Sequence, residues 1–151
     1  MTRVLMVCLG NICRSPLAEG ILKSKVDSTK VTVDSAGTAA YHIGKGPDHR
    51  SIATAANYNI DITDQRARKF TVDDFDEFDY IFAMDKENYK NITALARSSA
   101  DRAKVALMLD VLNAPKGAEV PDPYYGGDEG FEHVYQLLDK ATDKVIEKLL
   151  P

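Results

Sequence analysis

The chain has 151 residues, 44% hydrophobic and 28% charged, with a net charge of −4. That is the range of one ordinary globular domain, expected to run over 1–151, long enough to bury a sound core. The balance excludes an electrostatic footprint for nucleic acid or an acidic membrane, and no run reaches membrane-spanning length.

In chain order, Val4-Leu5-Met6-Val7 reads as a buried parallel strand over 3–8. Met1-Thr2-Arg3 leads straight into it rather than into a signal peptide. Ser15 as N-cap and Pro16 at the first helical position predict a helix over 16–26, with Leu17, Gly20-Ile21 and Ser24 at helical spacing. Val31-Thr32-Val33 is a short strand ending at Asp34-Ser35, followed by a loop, 36–46, that carries Tyr41. Pro47 starts a helix running to about Tyr58. Thr71 to Phe78 reads as an acidic helix, Thr71 as N-cap and Asp74 in the reciprocal capping place. Tyr80 to Met84 is another buried strand, and Asp85 is placed to cap a helix over 86–97. Val105 to Leu109 is a fourth strand. Asp128 opens the last helix, with Phe131, Val134, Tyr135, Leu138, Val145 and Leu149 on one face.

Strands separated by helices predict an α/β fold: a single-domain open parallel sheet of about four strands, helices on both faces, and a phosphate-binding loop between the first strand and first helix. In such sheets ligands sit off the carboxyl ends of strands, at a topological switch point. Cys8, Asp34-Ser35 and Asp85 fall at or just after such ends. They are expected to be neighbours in space.

Residues 8–16 read Cys-Leu-Gly-Asn-Ile-Cys-Arg-Ser-Pro. Held between a strand end and a helix N-terminus, this turn aims successive backbone N–H groups at one point, and the helix dipole adds positive potential. A thiolate at Cys8 is favoured there. Gly10 allows backbone to approach a ligand, and Asn11 tolerates the left-handed backbone that a loop closing on an anion needs. Arg14 offers a planar two-donor fork to an oxyanion. Leu9, Ile12, Cys13 and Ser15 complete the loop, with Ser15 also placed to hydrogen-bond the Cys8 thiolate. The bland alternative is that Cys8 is a small core hydrophobe. The strand before the loop and the helix after it favour a nucleophile built to attack phosphorus.

Among 23 acids, Asp122 is singled out by Pro121-Asp122-Pro123-Tyr124-Tyr125. Flanking prolines hold its backbone, and adjacent rings and a nearby phosphate dianion are expected to favour its proton-carrying form. Tyr41 and Tyr124 are candidate walls of an aryl slot, and Tyr125 is a further candidate residue of that substrate pocket. Asn11 and Ser35 are expected to share a hydrogen-bond network that supports the loop. His42, His49 and His133 read as solvated surface, and two cysteines in one tight loop make no zinc tetrad. The spare pair of thiols fits a reducing, cytoplasmic setting better than a disulfide scaffold.

With these residues in view, the chain resembles the low-molecular-weight protein tyrosine phosphatases over essentially its whole length. The loop Cys8–Pro16 is similar to the family signature. Asp34-Ser35-Ala36-Gly37-Thr38, Ala67-Arg68, Asp79-Tyr80-Ile81 with Met84-Asp85, and Asp122-Pro123-Tyr124-Tyr125-Gly126 are similar to its later landmarks, in order. The resemblance implies hydrolysis of phosphotyrosine through a Cys8 thiophosphate, with Asp122 as general acid and then base, and no cofactor. It implies a phosphotyrosine-bearing protein as substrate, inorganic phosphate or other oxyanions in the loop, no nucleic acid, no membrane span and a monomeric enzyme. It also makes Tyr125 a candidate phosphorylation site and Cys13 a thiol that resolves oxidised Cys8. Family members commonly carry a histidine two residues before the Ala-Arg pair, and this chain has Gln65 there.

Three rivals accompany this reading. Arsenate reductases with an internal disulfide relay need cysteines downstream of the loop, and none follows Cys13. In phosphoarginine phosphatases of the same fold the position matching Ile12 resembles a threonine, whereas a branched apolar residue accompanies phosphotyrosine preference. A silent phosphotyrosine-binding module is discouraged by the presence of nucleophile, arginine and acid together.

Overall fold

Val4-Leu5-Met6-Val7 forms the centre of strand β1, Thr2–Cys8, and its side chains alternate between two separate cores. Val4, Met6 and Cys8 face one, Leu5 and Val7 the other, as expected of a strand buried on both faces. The structure, a computed structural model, describes residues 1–112, 116–124 and 127–150. Three further strands, β2 Val31–Gly37, β3 Tyr80–Ala83 and β4 Val105–Leu107, complete a parallel sheet of order β2-β1-β3-β4. The chain runs outward from β1 to β2, then returns past β1 to β3. The switch point therefore lies at the C-terminal end of β1, where Cys8 sits opposite Gly37.

Helix α1, Arg14–Lys25, and the long C-terminal α6, Asp128–Leu149, cover one face. Leu17, Ile21 and Leu22 of α1 pack there with Val134, Leu138, Ala141 and Val145 of α6. Phe70, Phe75 and Ile92 fill the other core, beside α3 (Asp74–Glu77) and α4 (Lys86–Thr93). Helix α2, His49–Ala56, adds Ala55 to the first core.

Several boundaries differ from the sequence reading, each for a local reason. Helix α1 starts at Arg14, with Cys13 in the N-cap position already in right-handed helical backbone. Ser15 therefore does not cap, and Pro16 sits inside the first turn, where a missing N–H costs nothing. Strand β2 continues to Gly37, so Asp34 and Ser35 lie within it, opposite Leu5 and Met6. Asp48 rather than Pro47 begins α2, its carboxylate accepting from the Arg50 N–H at 2.9 Å. The 71–78 segment yields only the single turn of α3, yet Asp74 does reach back to the Thr71 N–H at 2.8 Å. Asp85 caps α4 as expected, through the Asn88 N–H. That helix ends at Thr93, and Ser98 caps a separate short helix, α5, Ser99–Ala103. After β4 the chain tightens into a 3-10 turn, Met108–Val111, which takes in Met108 and Leu109. On α6 the expected apolar face is buried except for Leu149, which is exposed at the helix end.

Candidate active site

The loop after β1 is held by its carbonyls. The Cys8 and Leu9 carbonyls accept from the Thr38 and Ala39 N–H groups, and the Ile12 carbonyl accepts from the Asp48 N–H at 2.8 Å. The Cys13 carbonyl accepts from the Ser51 hydroxyl. By contrast, no backbone N–H from Leu9 to Cys13 donates to another group among the described residues. Outward carbonyls and unspent N–H groups make a concave donor surface that an oxyanion can fill. Asn11 has φ 58°, the left-handed backbone expected of it. Gly37 lets the loop come close: a Cβ there would lie 2.8 Å from the Leu9 carbonyl oxygen. Gly10 instead makes room for His42, whose Cδ2 would lie 3.0 Å from an added Cβ.

Behind the loop runs a chain of hydrogen bonds with a fixed direction. The Arg68 N–H donates to Asn11 Oδ1 at 3.0 Å, and Asn11 Nδ2 donates to both Ser15 Oγ (2.8 Å) and Ser35 Oγ (2.9 Å). Both hydroxyls thus accept from Asn11 and keep their own protons available to a further partner. Ser35 donates to buried Glu19 at 2.7 Å, and Ser15 faces Cys8 Sγ at 3.0 Å. With one lone pair taken by Asn11, the Ser15 hydroxyl still has its own proton to give to the sulfur when Cys8 is a thiolate. Burial pushes the Glu19 carboxyl up, against the hydrogen bonds from Lys23 and Ser35. Gln65 stays outside this chain. It donates to the Pro16 carbonyl at 3.1 Å, and its Oε1 is buried without a partner among the described residues.

Arg14 is 2% exposed. Its Nη1 donates to Asp85 at 2.7 Å and to the Val120 carbonyl at 3.0 Å, which fixes the plane of the guanidinium. Burial works against its charge, but Cys8, Asp85 and Asp122 outweigh that and hold it above the ordinary arginine range. Nε and Nη2 donate no hydrogen bond to the described residues, and this pair is the fork that a dianion requires. Asp122 Oδ2 stands 3.7 Å from Nη2, while its Oδ1 accepts from the Tyr124 N–H at 3.0 Å. One oxygen is thereby parked, and the other is turned toward the site. The rings do not shield this carboxylate as expected, since 36% of its side chain remains exposed.

Cys8, Leu9, Gly10, Ile12, Cys13, Arg14 and Asp122 line one cavity of about 280 Å³, walled by Tyr41, His42 and Tyr124. Tyr41 is 75% exposed and stands at a loop tip whose feet are pinned by the Ala39–Leu9 and Gly44–Ala67 hydrogen bonds. Tyr124 is held from behind by Arg50, which donates to its carbonyl at 3.0 Å. Tyr125 lies outside the described residues. Ser35 does not reach the cavity and supports it through Asn11, as the expected network requires.

Two contributors, His42 and Glu19, and one role, the anchoring of Arg14 by Asp85, were not anticipated. His42, read as surface, is half-buried and lines the cavity; His49 and His133 are exposed as expected. Asp85 was read as a helix cap and also anchors Arg14. Its two oxygens divide these tasks. Glu19 had a visible signal, an acid amid the apolar residues Leu17, Ala18, Ile21 and Leu22 of α1. Cys13 is 5% exposed and packs with Ile12, Ala67 and Phe131. Burial first, then the negative charges of Asp48, Cys8 and Asp122, push its thiol up to about 12.

The family pattern described as low molecular weight phosphotyrosine protein phosphatase matches residues 3–150. A phosphatase of that name from Schizosaccharomyces pombe is 43% identical over 143 residues, covering 91% of this chain and 90% of the relative. The crystal structure of a protein tyrosine phosphatase from Entamoeba histolytica, with Hepes in its active site, superposes with a TM-score of 0.92 at 39% identity, covering 99% and 97%. The Drosophila arginine phosphatase superposes with a TM-score of 0.89 at 31% identity, covering 97% and 96%. A family pattern spanning nearly every residue, on a sheet whose switch point carries the anion loop, makes this chain a member of the low molecular weight phosphotyrosine protein phosphatases, a family of enzymes.

Proposed function

We propose that the chain hydrolyses phosphotyrosine on proteins, with Cys8 as nucleophile, Arg14 and the loop N–H groups as the oxyanion cradle, and Asp122 as proton donor and then acceptor. The observation that carries this is the loop itself. Its carbonyls are tied outward, its N–H groups are unspent among the described residues, and the Ser15 hydroxyl lies 3.0 Å from the Cys8 sulfur. In the first step the thiolate forms an S–P bond as the P–O bond to the phenol breaks, and Asp122 gives its proton to the leaving oxygen. In the second, water attacks phosphorus, Asp122 takes a water proton, and the S–P bond breaks to return the thiolate and release phosphate. Ser15 stabilises the sulfur as leaving group, and the Arg14 fork spans two equatorial oxygens throughout. Every group in these steps comes from one chain, so the reaction as derived needs no second copy, and the enzyme is proposed to work as a monomer. The reaction as derived calls on no cofactor, and inorganic phosphate is the expected product ligand of the loop. The same chemistry needs free thiols, which supports a cytoplasmic setting. Among the described residues no helix is long and apolar enough to cross a membrane.

The fold does not separate phosphotyrosine from phosphoarginine, since a phosphatase named for each shares it. Ile12 does. Its branched side chain lines the cavity and favours an aryl wall over a polar guanidinium. Purified protein is expected to turn over phosphotyrosine far faster than phosphoserine, phosphoarginine or arsenate. Ile12→Thr should narrow the gap to phosphoarginine about tenfold, the scale of one apolar contact. Wild-type preference for phosphoarginine would overturn the substrate assignment.

Cys13 is proposed as the thiol that rescues oxidised Cys8. Peroxide converts the Cys8 thiolate to a sulfenic acid with loss of hydroxide. Attack by a Cys13 thiolate then forms the disulfide and releases a second hydroxide. Because the Cys13 thiol is held up at about 12, little of it is ionised at neutral pH, and linking should accelerate as pH rises from 7 to 9. After peroxide and then dithiothreitol, wild type is expected to recover most of its activity and Cys13→Ser much less. Equal recovery of the two proteins would show that Cys13 protects nothing.

A further inference from the structure

We propose that the groove between α2 and the start of α6 is a substrate subsite that takes a lysine or arginine side chain about three residues from the phosphotyrosine. The inference rests on the phosphotyrosine reading above and specifies which proteins suit it. The groove measures about 490 Å³ and is separate from the catalytic cavity. Arg50 forms the divide: its guanidinium carbon lies 5.6 Å from the Tyr124 ring on the catalytic side and 4.6 Å from the Phe131 ring under the groove. The two ring centres are thus at most about 10 Å apart. An extended chain advances roughly 3.3 Å per residue, so a side chain three positions from the phosphotyrosine reaches this groove. A bound peptide can thus cross the Arg50 divide and occupy both spaces.

The groove's charge selects its occupant. Glu129 and Glu132 stand on its α6 wall, and neither forms an ion pair among the described residues. Glu132 is also held in place. Tyr58 stacks on Tyr135 with ring centres 3.8 Å apart, and its hydroxyl donates to Glu132 Oε2 at 2.6 Å. Gln136 donates to the same oxygen at 2.7 Å. These bonds orient the carboxylate and keep it ionised, while Oε1 receives no hydrogen bond from the described residues. Arg50, the cation on the opposite wall, is paired with Asp48 at 3.1 Å. Exposed Ala53 on α2 offers an apolar surface for the methylene stem of a lysine or arginine, whose head then meets the two glutamates. An acidic residue in the same place meets two carboxylates instead.

The test compares kcat/KM for phosphotyrosine peptides carrying Lys, Ala or Glu three residues before or after the phosphotyrosine, at low salt and at 0.5 M NaCl. On one of the two sides, Lys is expected to exceed Ala about threefold and Glu about tenfold at low salt, with the differences shrinking at high salt. Glu129→Gln/Glu132→Gln should abolish the preference and leave hydrolysis of p-nitrophenyl phosphate unchanged. Ala53→Trp, which fills the groove from α2 and leaves both carboxylates in the chain, should abolish it as well. Equal rates for the three peptides with wild type, or a preference that survives both variants, would overturn the subsite. A wild-type enzyme that hydrolyses no phosphotyrosine at all would instead overturn the phosphatase reading beneath it.

Discussion

Cys8→Ser is expected to lower phosphotyrosine hydrolysis by about 10⁴-fold or more while the protein still binds a phosphotyrosine peptide. Removing a nucleophile that acts with its partners as a unit costs at least that much in enzymes of covalent mechanism. Binding survives because the cradle does not depend on the sulfur. The carbonyls of Leu9, Ile12 and Cys13 remain tied to Ala39, Asp48 and Ser51, and Arg14 remains fixed by Asp85 and Val120. Affinity is expected to match or exceed that of wild type, because a neutral hydroxyl replaces an anion that repels the phosphate dianion. Steady-state turnover of a phosphoaryl ester, with peptide binding by calorimetry, measures both halves. Turnover near the wild-type rate would remove Cys8 as the nucleophile. Loss of binding along with turnover would mean that the Ser15–Cys8 contact holds the loop together.

Asp122→Asn is the second large effect, about 10²- to 10⁴-fold for esters of poorly acidic phenols. The carboxylate's place dictates a graded loss. One oxygen is spent on the Tyr124 N–H, and only Oδ2 faces the cavity, 3.7 Å from the Arg14 guanidinium. An amide keeps the turn through its carbonyl oxygen but has no proton to give a leaving phenolate. Esters whose phenols are already acidic need little protonation, so the loss should shrink steadily as leaving-group acidity rises. A series of substituted phenyl phosphates, measured for kcat with both proteins, gives the slope. An equal loss across the series would make Asp122 a structural turn residue. Because the side chain is 36% exposed, its role rests on position and not on desolvation.

The architecture and the loop were legible because their causes are local. An apolar run of strand length, a cysteine, a left-handed Asn and an arginine before a helix are properties of neighbours in the chain, and β1, α1 and the φ of Asn11 follow from them. Asp122 was legible through its flanking prolines, and Asn11 with Ser35 through their donor and acceptor inventory. The local rules failed where packing competes with them. Ser15 has the chemistry of a cap, but Asn11 and Cys8 claim its hydroxyl, and α1 starts two residues earlier than expected, at Arg14. Thr71 and Asp74 have the chemistry of a capping box, but Asp74 also takes the Arg68 guanidinium, and the helix beyond is one turn long.

By itself the sequence determined a parallel α/β sheet, an anion loop at the end of its first strand, and the candidates proposed as nucleophile, arginine and acid, since each depends on residue type and short-range spacing. Only the tertiary structure decided that Asp85 orients Arg14, that Glu19 ends the hydrogen-bond chain behind the loop, that Gln65 stays out of it, and that His42 walls the cavity. These pairs are separated by tens of residues or stand on different elements. No local pattern encodes which buried polar groups will meet when the sheet closes, because each must find its partner across the core or remain unpaired.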